Sequence, residues 1–177
     1  MKKVLEIIEE LEKNRLQPYL SKEAMDFISI ICKILKPKKV LEIGAFHGYS
    51  ALNFSLVTEK VTTIEIDENA VKEAGKNFKK AEADNINLIQ GGALEILKTL
   101  KEKFDLILID AKKSEYKKYL ELSLNLLNKN SLIFADNTIS HKESMEDLFR
   151  YLKNSNLYYQ ELNIGKGLMI ISNKINP

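Results

Sequence analysis

Lys39-Val40-Leu41-Glu42-Ile43-Gly44-Ala45-Phe46-His47-Gly48-Tyr49-Ser50 changes its hydrophobic period half-way along, and the chain repeats that change several times on either side of it. Residues 39–44 form an apolar, partly β-branched run of the length a buried strand requires, whereas apolar residues from Tyr49 to Leu56 recur at helical spacing. Gly44 and Gly48 lie between the two patterns, where glycine permits the backbone angles that turn a strand sharply into a helix.

The alternation continues toward the C-terminus. Val61–Ile66 reads as a strand, 68–82 as a helix, Ile86–Ile89 as extended and 92–101 as a helix. Phe104–Asp110 is nearly all apolar, as a strand covered on both faces should be. A helix over 115–127, a strand over Ser131–Ala135 and a helix over 141–153 follow, the last with Ser140 and Glu143 spaced as a capping box. Tyr158–Leu162 and Gly167–Ser172 read as strands joined through the turn-like Asn163-Ile164-Gly165-Lys166, a closing hairpin. Toward the N-terminus, apolar spacing predicts helices over 3–14 and 22–35, the second ending before Pro37.

Strand and helix alternating in this way imply right-handed crossovers and parallel strands covered by helices on both faces. The expected fold is α/β, a Rossmann-like three-layer sandwich on a mostly parallel seven-stranded sheet. Its C-terminal hairpin contributes one antiparallel strand. A length of 177 residues suits one domain, with a helical lead-in over 1–36 and the core over 37–177.

Composition narrows the function classes. With 27 basic and 25 acidic residues the formal charge is only +2, so net charge supplies no argument for nucleic acid. The single cysteine, Cys32, lies in an apolar run and reads as a small buried thiol, and one cysteine allows no intrachain disulfide. Acids interrupt the first apolar stretch, where a secretory signal needs an unbroken one, and no apolar run approaches the roughly 20 residues of a membrane span. A cytoplasmic protein with no membrane partner is expected.

Open α/β sheets bind ligands at the carboxyl ends of their strands. A dinucleotide loop would read G-x-G-x-x-G, and Phe46 stands where its second glycine should let backbone approach a pyrophosphate. A tight turn in any α/β protein could also use the Gly44/Gly48 pair. Glu65 ends the second strand, where a carboxylate can accept hydrogen bonds from both hydroxyls of a ribose; a solvated loop acid is the plainer reading. Asp110 ends the fourth strand and Asp136 with Asn137 ends the fifth, so two segments bring oxygen ligands to one edge of the sheet. Such hard ligands suit Mg²⁺, Ca²⁺ or Mn²⁺ better than zinc, although acids at strand ends also serve as helix caps.

Residues 40–50 resemble the first motif of the catechol and caffeoyl-coenzyme A type of class I S-adenosylmethionine-dependent O-methyltransferases, and Thr63-Ile64-Glu65-Ile66 is similar to their second. The likeness runs over about residues 36–172. It implies a cofactor set of Glu42, Gly44, Phe46, Gly48, Tyr49, Ser50, Glu65, Ile66, Gly92, Ala93 and Asp110, in which the acid, the glycines and the Tyr-Ser pair hold the methionine end and Glu65 grips the ribose. Ile109-Asp110-Ala111-Lys112-Lys113-Ser114-Glu115-Tyr116 resembles the family's Asp-Ala-x-Lys segment, and Ala135-Asp136-Asn137 its Asp-Asn pair. The resemblance therefore implies a divalent-metal site at Asp110, Asp136 and Asn137, magnesium first, with Lys113 as general base and Asp110 as its catalytic partner.

The chain departs from the family in four places, one of them a short N-terminal lead-in where the family's region helps form a lid and a dimer contact. Ala93 and Leu94 fall where relatives often read adenine through polar side chains, only Thr138-Ile139-Ser140 separates Asn137 from the next helix, and no tryptophan is present to line an aromatic pocket. The acceptor is expected to be a small hydroxylated compound. A pocket left open on that side would favour a larger substrate, a hydroxylated tRNA nucleoside among them, or completion by a second copy in a homodimer. A binding protein that keeps the cofactor site without catalysis is the remaining alternative. His47, inside the turn, and His141, at a helix start, are read as structural.

Overall fold

Alternate side chains of the central strands enter two different cores, one on each face of a single sheet. In the computed structural model, which describes residues 1–14 and 19–173, the strands are β1 Lys39–Ile43, β2 Lys60–Glu65, β3 Ile86–Gln90, β4 Phe104–Ile109, β5 Leu127–Asp136, β6 Leu157–Leu162 and β7 Leu168–Asn173. The helices are α1 Lys2–Lys13, α2 Lys22–Leu35, α3 Tyr49–Ser55, α4 Glu68–Ala81, α5 Ala93–Thr99, α6 Tyr116–Leu124 and α7 Glu146–Lys153. The strand order is β3-β2-β1-β4-β5-β7-β6, parallel except for β7, which runs antiparallel to both neighbours. The expected sandwich and its single antiparallel strand are both present. The assignment of all of 1–177 to one domain also takes in 15–18 and 174–177, which lie outside the described residues.

β4 illustrates the pattern. Leu106 and Leu108 join Val40, Ile28, Met25 and Phe54 under α1 to α4, whereas Ile107 and Ile109 join Leu41, Ile43, Leu120 and Leu148 under α5 to α7. Period-2 alternation with apolar residues on both faces is what a strand covered by helices on both sides must show. No helix among the described residues is long and apolar enough to cross a membrane.

Helix ends follow local chemistry. Ser21 and Asp67 cap α2 and α4, their side-chain oxygens accepting from Ala24 N at 3.1 Å and Ala70 N at 2.8 Å. Two elements differ from expectation. α6 ends at Leu124, and β5 begins at Leu127 rather than Ser131, because Asn128 Nδ2 donates to Asp105 Oδ1 at 2.7 Å and extends the strand through polar residues. The capping box is not formed: a 3₁₀ turn over Lys142–Met145 precedes α7, and the Ser140 hydroxyl lies 2.8 Å from His141 Nδ1.

Candidate active site

Gly44 determines how closely the first loop meets the end of β4. Its φ is +101°, and a Cβ there would lie 2.1 Å from the carbonyl oxygen of Asp110, so only glycine lets the two strand ends touch. Gly48, at φ +87°, is packed against the Phe78 ring, where a Cβ would fall 2.3 Å from a ring carbon. These approaches gather the ends of β1, β2, β3 and β4 around a cavity of about 660 Å³.

Of the sequence candidates, Gly44, Phe46, Tyr49, Ser50, Glu65, Ile66, Gly92, Ala93, Asp110 and Lys113 line this cavity. Glu42, Gly48, Asp136 and Asn137 lie behind its wall. A wider hollow of about 1590 Å³ at the amino end of β5 is lined by none of the candidates.

Glu65 is held ready for a ligand. Its Oε2 accepts from Phe46 N at 2.8 Å, and its Oε1 accepts from Ile66 N at 2.8 Å and Asp67 N at 2.9 Å. Phe46 turns its N–H toward Glu65 by adopting φ +46°, a left-handed conformation uncommon for a bulky residue. Three fixed donors use three of its roughly four lone-pair sites and leave the remaining one, on Oε2, for a ligand.

Glu42 acts through Ser50. Fully buried in β1, it accepts hydrogen bonds from the Ser50 hydroxyl and, at 2.5 Å, from Thr63 Oγ1. Burial pushes its carboxyl up to about 7 despite the two hydroxyls, which act in the opposite direction. An acid whose folded pKa exceeds its unfolded value of about 4.3 stabilises the fold most at low pH, and stability is lost as pH rises through the window from there to about 7. Relative to wild type, Glu42→Gln is therefore expected to gain roughly 3 kcal/mol of unfolding free energy between pH 5 and pH 8. Urea unfolding at both pH values measures it, and identical pH slopes in the two proteins would contradict the buried-acid assignment.

At the far wall, the end of β5 and the segments that follow β4 and β5 bring five groups together. Lys113 Nζ donates to Asp110 Oδ1 at 2.8 Å and to the buried Tyr116 hydroxyl at 2.9 Å. Asn137 Nδ2 donates to the same Asp110 oxygen at 3.1 Å and to Asp136 Oδ2 at 2.7 Å. Burial, then the charge of Asp110, pushes the Asp136 carboxyl up to about 7. Asp136 Oδ1 is buried with no hydrogen-bond partner among the described residues, which is costly unless a cation or donor arrives. No group of three His, Cys, Asp or Glu side chains able to hold a metal occurs among the described residues. Two carboxylates and a carboxamide nonetheless make an oxygen set that fits a hard cation, and the orphaned Asp136 oxygen is the atom such an ion would satisfy.

Several cavity residues escaped sequence reasoning. Tyr19 and Leu20 line it from the segment ahead of α2. Tyr19 packs edge-on against Phe46 with centroids 5.2 Å apart, and its hydroxyl lies 3.1 Å from His47 Nδ1. His47 stacks on Phe46 with ring centroids 3.8 Å apart. Glu115, within the Asp-Ala-x-Lys stretch but given no role there, and Tyr119 line the cavity around the start of α6. The Tyr49 hydroxyl donates to Glu12 of α1 at 2.8 Å, tying the lead-in helix to the site.

The family model described as O-methyltransferase matches residues 2–164. The chain belongs to the O-methyltransferase family. Among relatives of this chain, the flavonoid 3',5'-methyltransferase of Vitis vinifera is 35% identical over 141 residues, 70% of this chain and 60% of that protein. The caffeoyl-CoA O-methyltransferase of Populus kitakamiensis is 37% identical over 123 residues, 64% of this chain and 52% of that one. The chain thus spans less than two thirds of the length of these relatives. An SAH-bound methyltransferase from Podospora anserina has the same fold, with a TM-score of 0.88 and 25% identity over 99% of this chain and 89% of that one.

Proposed function

We propose that this O-methyltransferase uses S-adenosylmethionine to methylate a hydroxyl of a small hydroxylated compound, held at Asp110, Asp136 and Asn137 through a divalent cation. One observation carries the reading: the cavity holding the oriented Glu65 ends on Asp110 and Lys113, backed by the partnerless oxygen of Asp136. The relatives named for flavonoid and caffeoyl-CoA methylation support a hydroxylated aromatic acceptor.

The residues divide the work. Glu65 Oε2 accepts from a ribose hydroxyl. Because the Ser50 hydroxyl donates its proton to Glu42, its lone pairs are left for the ammonium of the cofactor's methionine end. Methyl transfer is an in-line displacement in which an acceptor lone pair forms the C–O bond as the C–S bond breaks and the sulfonium leaves as a neutral thioether; positioning supplies much of the rate. A phenol with a pKa of about 10 is mostly protonated at neutral pH, so a base is needed, and Lys113 Nζ is the group at hand. A divalent ion, when bound, supplies positive charge that stabilises the acceptor anion and lowers the proton affinity of the neighbouring amine.

The donor half of the proposal is tested by calorimetry. S-adenosylhomocysteine is expected to bind and NADH not, and Glu65→Ala is expected to weaken S-adenosylhomocysteine by the ~1–3 kcal/mol of lost charged hydrogen bonds. Tight NADH binding without a response to S-adenosylhomocysteine would overturn it.

A further inference from the structure

Beyond Glu65, the cavity is walled on one side by Gly91, Gly92, Ala93, Leu94 and Glu95, of which only Glu95 has a polar side chain, and that carboxylate is 79% exposed and paired with Lys98 Nζ at 2.8 Å. A base lying there faces a second wall, formed by the segment between β4 and α6. That wall offers a carboxylate held in a fixed orientation. Glu115 Oε2 accepts from the Tyr119 hydroxyl at 2.6 Å, and its Oε1 accepts from Lys112 Nζ at 2.8 Å. The side chain is 24% exposed and borders the cavity together with Tyr119.

We propose that Glu115 selects the base of the bound cofactor by accepting a hydrogen bond from the exocyclic amine of adenine. This rests on the S-adenosylmethionine reading above and adds a specificity residue to it. The strand order supports the assignment: Glu65 at the end of β2 lies between the loop after β1, which carries Tyr49 and Ser50, and the end of β3, so a ribose on Glu65 directs its base past Ile66 toward residues 91–94, and α5, which follows them, packs on α6, which Glu115 precedes. The chemistry supports it too. Lys112 and Tyr119 hold the Glu115 carboxyl below the usual range, which makes it an acceptor only, and their two hydrogen bonds use about half of its roughly four lone-pair sites. An amine at the 6-position of the purine satisfies a free lone pair, whereas a 6-oxo group would place oxygen against oxygen and leave both unpaired.

The test is calorimetry on the full chain with S-adenosylhomocysteine and S-inosylhomocysteine, which differ in that group. Wild type is expected to favour the adenine compound by about tenfold or more, the size of one charged hydrogen bond at a partly exposed site. Glu115→Gln keeps an acceptor for Tyr119 and gains a donor for the 6-oxo group, so its preference is expected to fall to within about threefold. Glu115→Ala, a second variant that introduces no donor, is expected to lose adenine affinity without gaining hypoxanthine affinity. Thermal unfolding of both variants confirms that they are folded. Undiminished preference in Glu115→Gln, or equal affinities in wild type, would overturn this assignment while leaving the cofactor reading in place. Wild type binding neither compound would overturn both.

Discussion

Lys113→Met is expected to lower kcat by about 10²–10⁴-fold, the usual contribution of a positioned general base, while S-adenosylhomocysteine affinity stays within about twofold. Methionine keeps the length and apolar stem of lysine and removes the amine that now contacts Asp110 Oδ1 and the Tyr116 hydroxyl. The arginine variant separates a base from a mere counter-charge. Lys113→Arg keeps the positive charge beside Asp110, but a guanidinium does not give up its proton in this pH range, so it is expected to be as inactive as Lys113→Met. Steady-state methyl transfer on the three proteins decides the matter. An arginine variant with kcat within about threefold of wild type would show that Lys113 contributes charge and not proton transfer.

Residues whose role depends on their place along a strand were legible in the sequence. The uninterrupted Phe104-Asp105-Leu106-Ile107-Leu108-Ile109 run marked β4 as covered on both faces, and from there Asp110 had to emerge at the carboxyl end. The same reasoning placed Glu65 and Asp136 at strand ends. Gly44 was legible as a turn residue, but its tighter constraint, the Asp110 carbonyl 2.1 Å from where a Cβ would go, comes from a contact between segments 66 residues apart that no local pattern records.

What escaped the sequence depends on side-chain direction and on long-range partners. Glu115 and Tyr119 are four apart on the start of α6, a spacing that any solvated helix face shows, and only the packing of α5 against α6 turns them toward the cavity. Tyr19 enters from the lead-in, outside the strand–helix alternation on which site reasoning relied. Glu42 lies in the first motif, yet its complete burial, which leaves Ser50 between it and the cavity, follows from its being flanked by β2 and β4. The capping box failed because the chain between Asn137 and α7 is claimed by other partners. Thr138 N donates to Gly167 O, and both Ile139 N and Ser140 N donate to Lys166 O, so this short segment is pinned to the β6–β7 hairpin before the helix can begin.

Asp136→Asn is expected to reduce methyl transfer by several kcal/mol of lost transition-state stabilisation, on the order of 10³-fold, with no loss of thermal stability. Both halves follow from one atom. Asp136 is 2% exposed, its Oδ1 has no partner among the described residues, and its charge faces that of Asp110, so the folded chain bears a cost here that a neutral amide of the same shape relieves. A group retained at such a cost is placed for a ligand, and a divalent cation is the ligand that two carboxylates and an amide suit best. EDTA should therefore abolish transfer in the wild type, Mg²⁺ or Mn²⁺ should restore it, and the same additions should leave Asp136→Asn inactive. The readout is transfer of a tritiated methyl group to a catechol panel and, in parallel, to bulk tRNA, since the three residues between Asn137 and His141 leave little chain to enclose a small phenol. A melting temperature at or above that of wild type assigns the lost activity to the missing ligand oxygen and not to misfolding. Full activity in EDTA, or an Asp136→Asn protein that turns over normally, would remove the cation from the proposed mechanism and leave Asp136 as an unexplained buried acid.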